Sequence, residues 1–172
     1  MKKSFVLGLA ILFVAGLFMT ACRLITTSEF APSLTATTDK TEAKIGDTVT
    51  VTVTFRDLSS QTMNRHFDVE LPSWIVAEGG ENKEDILRVV FTPEEDFNWW
   101  DYAASKGNET GRRQTIRIRG GETIKKKFTH TITEAEDLYV NTAAFFIMGG
   151  WGRNNGLITF SAPIKIKVQQ GE

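Results

Sequence analysis

An all-β chain, an antiparallel sandwich carrying one short inserted helix, is the fold class that these 172 residues predict. Three observations carry it. In "DTVTVTVTF", Val49, Val51, Val53 and Phe55 alternate with Thr48, Thr50, Thr52 and Thr54, the mark of a strand buried on one face. Short apolar segments of strand length then recur between turn signals along the chain. A single segment, "TPEEDFNWWDYAASKG", follows the helical period instead.

In chain order, Lys2 and Lys3 give a cationic start, and residues 5–19 contain no charge. That is the layout of a secretory signal. An uncleaved anchor is the rival reading, although residues 4–21 fall short of the roughly 20 apolar residues that a spanning helix needs. Either way the lysines stay inside and the rest of the chain crosses. Met19-Thr20-Ala21-Cys22 resembles the lipobox of bacterial lipoproteins, with Met19 where that family prefers leucine. The resemblance covers the first 22 residues. It implies a diacylglyceryl group on Cys22, cleavage after Ala21 and an acylated new N-terminus. Cys22 is the sole cysteine, so no disulfide partner competes for it. Two or more acyl chains hold firmly where one is marginal. Arg23 lacks the aspartate that, by the same resemblance, favours inner-membrane retention, so the outer membrane is allowed. The expected location is the bacterial cell envelope, facing periplasm or exterior.

Removing residues 1–21 takes away two lysines and no acids, leaving 18 basic and 21 acidic residues and a net charge of −3. A nucleic-acid binder would carry a basic excess. The tether, residues 22–32, has no Gly/Ser run; residues 23–32 reach roughly 33–36 Å when extended. Residues 33–170 then suffice for one domain with an adequate core.

Strands are expected at 34–38, 48–55, 67–71, 86–91, 114–119, 123–132, 138–148, 156–160 and 164–168, with Gly46-Asp47 as a turn. In the helical segment, Thr92 and Glu95 form a capping box with Pro93 at the first helical position, and Gly107 ends the helix after Lys106. The wheel places Phe97, Trp99, Trp100, Ala103 and Ala104 on one arc, turned to the core, and Tyr102 on the other. Gly120-Gly121 reads as a hairpin loop that sets Arg117 opposite Lys125, Thr115 opposite Lys127 and Arg119 opposite Thr123. "AKIGDTVTVTVTF" and "GGETIKKKFTHTITEAEDLYVNTAAFFI" resemble bacterial immunoglobulin-like domains. The resemblance implies an immunoglobulin-like sandwich over residues 34–168 and a tyrosine corner at Tyr139, whose hydroxyl bonds to nearby backbone. Asn141 stands where antibody-type domains have their second cysteine, so their disulfide does not carry over.

Little in the sequence nominates catalysis. No G-x-S-x-G occurs. His66 and His130 lie on different expected strands, and zinc needs three or four ligands. "PEED" and "EAED" lack EF-hand spacing and read as helix-dipole and corner charge. No enzyme, metal or cofactor is expected. Two surfaces suggest binding. The loop "GGWGRNNG" presents Trp151, Arg153, Asn154 and Asn155, with Asn155-Gly156 as a tight turn; Trp and Arg dominate hot spots. By the immunoglobulin-like resemblance this is the F–G loop, and Trp151 either contacts a partner or folds back as a lid. Arg112, Arg113, Arg117, Arg119, Lys125 and Lys127 form a candidate basic patch for an anionic partner, or a solvated, edge-protecting face. The leading function is a lipid-anchored, non-enzymatic envelope protein making protein–protein contact. The alternative is a carbohydrate-binding module for envelope or extracellular glycan, using Trp151 with Trp99 or Trp100.

Overall fold

The computed structural model describes residues 32–58, 66–106, 114–148 and 155–169. Cys22, Arg112, Arg113, Trp151, Arg153 and Asn154 lie outside them. No helix among the described residues is long and apolar enough to cross a membrane.

The chain runs β1 (Pro32–Thr38), β2 (Glu42–Lys44), β3 (Thr48–Asp57), β4 (His66–Leu71), α1 (Ser73–Ala77), a 3₁₀ turn (Lys83–Ile86), β5 (Leu87–Thr92), α2 (Trp99–Ser105), β6 (Gln114–Arg119), β7 (Thr123–Thr131), β8 (Leu138–Met148), β9 (Asn155–Phe160) and β10 (Ile164–Gln169). A three-stranded sheet, β1-β3-β7, packs on a seven-stranded one in the order β2-β10-β8-β4-β6, with β5 and β9 also on β8. Pairing is antiparallel except for β2 with β10. The alternation in β3 does what it predicts: Val49, Val51, Val53 and Phe55 are fully buried. Phe55 meets Phe146 of β8 edge-on at 5.8 Å between ring centres, which joins the two sheets.

β8 organises the larger sheet. One of its edges carries β5 and then β4, and the other carries β10 and then β9. β4 and β5 thus lie end to end, and α1 with the 3₁₀ turn is an excursion between them. β9 and β10 are likewise separated at Ser161-Ala162-Pro163. Proline has no N–H for a ladder, and there the buried Thr142 hydroxyl meets Ser161 Oγ at 2.6 Å instead.

Side chains alternate across a strand, so Phe145 points away from the inter-sheet core that Phe146 enters. Both helices cover that outer face. Trp74 of α1 and Trp99 of α2 pack on Phe145 at 5.4 and 5.5 Å, and Tyr102 and Phe97 complete the cluster.

The helical expectation needs correction. Among the described residues there are two helices, not one, and the capping box at Thr92 is absent: Thr92 ends β5 and its hydroxyl accepts the Glu94 N–H at 3.1 Å. The cap is Asn98, whose side chain accepts from the Trp100 and Asp101 N–H groups. The buried arc is also rotated from the expected one. Trp99 and Tyr102 face inward, whereas Trp100 is exposed. The Tyr139 hydroxyl, expected on backbone, donates instead to Glu95 Oε2 at 3.2 Å. Asn155-Gly156 is not a turn; it opens β9, with Asn155 opposite Met148.

The Gly120-Gly121 hairpin is also overturned. β6 pairs with β4, while β7 pairs with β3 in the other sheet. The chain turns sharply at 119–122, where the Glu122 N–H reaches the Arg119 carbonyl and Gly121 takes φ 77°, a left-handed angle that suits glycine. It thereby changes sheets. Among the described residues both strands are terminal in their sheets, so the turn closes the side of the sandwich.

Candidate functional site

That side of the sandwich carries a cleft. It measures about 840 Å³ and is lined by the β6 strand, the corner at 119–122 and the segment entering the 3₁₀ turn, with His66, Lys83, Gln114, Arg117, Arg119 and Glu122 among its residues. Its volume falls in the usual range for ligand clefts.

Local chemistry builds the walls. The Asp85 carboxylate accepts the N–H groups of Glu81 and Asn82 at 2.9 and 2.8 Å and the Lys126 ammonium at 2.8 Å. Burial opposes its charge, but these donors outweigh burial and hold its pKa at about 2. Lys83 reaches Glu122 at 2.6 Å, and Glu122 Oε2 also accepts the Arg119 N–H at 2.7 Å. Burial again opposes the charge, and these donors win, lowering the Glu122 pKa. The Gln114 amide donates to the Glu81 carbonyl at 2.8 Å. The stretch 81–86 is therefore tied to both terminal strands, Asp85 to β7 through Lys126 and Glu81 to β6 through Gln114.

The expected basic patch is not one surface. Arg117 and Arg119 lie on the outer face of the larger sheet, where Arg117 meets Asp68 across the strands at 3.1 Å. Lys125 and Lys127 are exposed on β7, opposite Thr54 and Thr52 of the other sheet. The inward positions Ile116, Ile118 and Ile124 are buried between them, so the two cation pairs point to opposite sides. The histidines are equally apart: His66 edges the cleft, and His130 stacks on Phe91 at 4.4 Å. Among the described residues no three His, Cys, Asp or Glu gather as metal ligands.

The second candidate surface is the helical roof. Trp74 is flanked by the Arg88 guanidinium at 5.4 Å and the Lys106 ammonium at 5.8 Å from its ring centre, and Glu78 contacts both cations. Hydrogen bonding to Glu78 raises the Lys106 pKa. Trp100 projects from this roof, 60% exposed beside a Trp99 that is 5% exposed. Phe160, 57% exposed, stands on β9 opposite Ala143. Helix phase was the available signal for Trp100. Seven helical residues carry too few apolar positions to fix it, because Tyr102 packs inward with a polar tip.

No family model matches the chain, and no curated protein matches it. Among solved structures it is similar to the CARDB domain of a Pyrococcus furiosus protein, at 13% identity and a TM-score of 0.38, over 81% of this chain and 96% of that one. It is also similar to Spo0M, a sporulation control protein of Bacillus subtilis, at 13% identity and a TM-score of 0.40, over 82% of this chain and 50% of that chain. The mostly-β, two-sheet architecture therefore rests on the strand pairing of this chain itself.

Proposed function

We propose that this chain is a lipid-anchored envelope protein, held by Cys22, whose immunoglobulin-like sandwich makes non-enzymatic contact with a protein partner. The lipobox resemblance supports the anchor. The strand order β2-β10-β8-β4-β6 against β1-β3-β7, with β2 parallel to the last strand, supports the immunoglobulin-like reading. The observation that carries the contact reading is Trp100. A fold that packs Trp74 and Trp99 into its roof leaves this large ring in water, and tryptophan is the residue most enriched in binding hot spots. The acids around the cleft support binding over acid–base chemistry, since Asp85 and Glu122 are held ionised by structural partners whereas a general acid needs its pKa raised.

Two measurements test this reading. Intact mass of the membrane-extracted protein should begin at Cys22 with diacylglyceryl and acyl groups added; a mass retaining residue 1 or 2 overturns the anchor. A photo-crosslinking side chain at position 100 should capture a discrete envelope protein that the same group at exposed Thr48 does not. Identical patterns at both positions would sink the contact surface.

The exposed ring also favours a second reading, a glycan-binding module, because an indole face stacks on sugars. Trp99, buried beside Phe145, has no part in it. Quenching of Trp100 fluorescence by soluble envelope polysaccharide, lost in Trp100→Phe with Trp99 intact, would select it.

A further inference from the structure

Lys125, Lys126 and Lys127 are consecutive, and β7 sends them to opposite sides. Lys126 turns inward to Asp85. Lys125 and Lys127 stand on the outer face of the three-stranded sheet, opposite Thr54 and Thr52. The register brings them a third cation from another strand. Arg56, opposite Thr123, is the diagonal neighbour of Lys125. Positions two apart on a strand are separated by about 7 Å, and diagonal neighbours by about 7–8 Å. The three cations therefore form a slightly bent track, Lys127-Lys125-Arg56, with the hydroxyls of Thr52, Thr54 and Thr123 beside it.

The track is not neutralised on its own face. All three cations are exposed, and none makes an ion pair among the described residues. The outward positions of β1, β3 and β7 hold only Ser, Thr, Arg and Lys. The acids at its ends are engaged elsewhere: Asp39 accepts the Thr50 N–H at 2.8 Å, and Glu122 holds Lys83 and the Arg119 N–H. Like charges set this close on one face are unfavourable, and a bound anion removes that cost.

The rest of the face says which anion. It turns no aromatic or aliphatic side chain outward, so it lacks the apolar centre of a protein interface. Three cations also fall short of the about four to eight that mark an anionic-lipid site. A linear polyanion needs neither feature: its spaced charges match the spaced cations, and its hydroxyls match threonines that both donate and accept.

We propose that this track binds an acidic polysaccharide, a chain of uronate sugars laid along β7 from Lys127 to Lys125 and across to Arg56. The surface lies on the opposite side of the sandwich from the helical roof and does not depend on Trp100.

The test is amine footprinting of the full chain in non-ionic detergent. Lysines are acetylated with and without a short oligogalacturonate, and the extent at each is read by peptide mass. Lys125 and Lys127 should be protected at least fivefold and exposed Lys44 should not. The methyl-esterified oligomer, which keeps the sugar chain and loses its charge, should protect none of them. Arg56→Gln should raise the concentration for half-protection at least threefold, whereas Arg117→Gln, on the other sheet, should leave it unchanged. Equal protection by the esterified oligomer, or no protection, overturns the proposal. So does protection of Lys125 and Lys127 only after reconstitution into phosphatidylglycerol bilayers, which would make the face a headgroup site. Trp100→Ala should leave the footprint unchanged, so this proposal and the roof reading fail separately.

Discussion

Trp99 and Trp100 are adjacent in sequence and opposite in surroundings. Trp99 touches Phe97, Tyr102 and Phe145, and deleting a buried indole costs about 3–5 kcal/mol. Trp99→Ala should therefore lower the urea-unfolding free energy by that amount, while Trp100→Ala should stay within about 0.5 kcal/mol of the parent. Equal losses would place Trp100 in the packed roof and remove it from the surface. Asp85 makes a pH-dependent prediction. Its pKa, 3.8 in the unfolded chain, is held at about 2 in the fold, so its stabilisation is complete above pH 3.8 and disappears as pH falls through about 2. The shift corresponds to about 2 kcal/mol, and solvent screening at a partly open site reduces it to about 1–2 kcal/mol. Asp85→Asn should cost that much at pH 7, and its deficit relative to the parent should close as pH falls towards 2. A deficit independent of pH would mean that shape rather than charge holds the turn.

At the scale of the element, strand positions were legible and partnerships were not. Period-two burial in β3, β6 and β10 is a local property, written as Val/Thr, Ile/Arg and Ile/Lys alternation. Whether β6 returns beside β7 or crosses to the other sheet depends on what else covers each strand, and no residue near Gly120-Gly121 encodes that. The cleft was invisible for the same reason, since its walls come from three separate segments. Helix α1 was missed because "SWIVA" is as apolar as a strand and only five residues long. Its stop signal was present, however, in Gly79-Gly80. Gly79 takes φ 85° and donates to the Val76 carbonyl, while Gly80 donates to Ile75, the paired bonds of a Schellman cap. A Cβ on Gly80 would lie 2.6 Å from Ile75 Cγ2 and 2.8 Å from the Ile75 carbonyl oxygen. Ile75 is fully buried and that oxygen belongs to the helix, so neither moves cheaply. Gly80→Ala should destabilise by about 1–3 kcal/mol, measured by thermal unfolding; an unchanged midpoint would mean that α1 shifts freely on the sheet.

Across the whole molecule, β8 is the member that both cores share. Phe146 enters the space between the sheets against Phe55, and Phe145, the next residue back, enters the roof against Trp74 and Trp99. Withdrawing the roof would expose Phe145 and uncover the outer face of the strand on which β4, β5, β9 and β10 all depend. Roof and sandwich are therefore expected to unfold as one unit, as single domains of this size generally do. In a urea titration, near-UV circular dichroism, dominated by the packed aromatic roof, should share its midpoint with far-UV circular dichroism, which follows the sheets. Trp99→Ala should move both midpoints together. If the near-UV signal were lost at lower urea while the far-UV signal persisted, the roof would be a separable layer, and the two faces of β8 would be energetically independent.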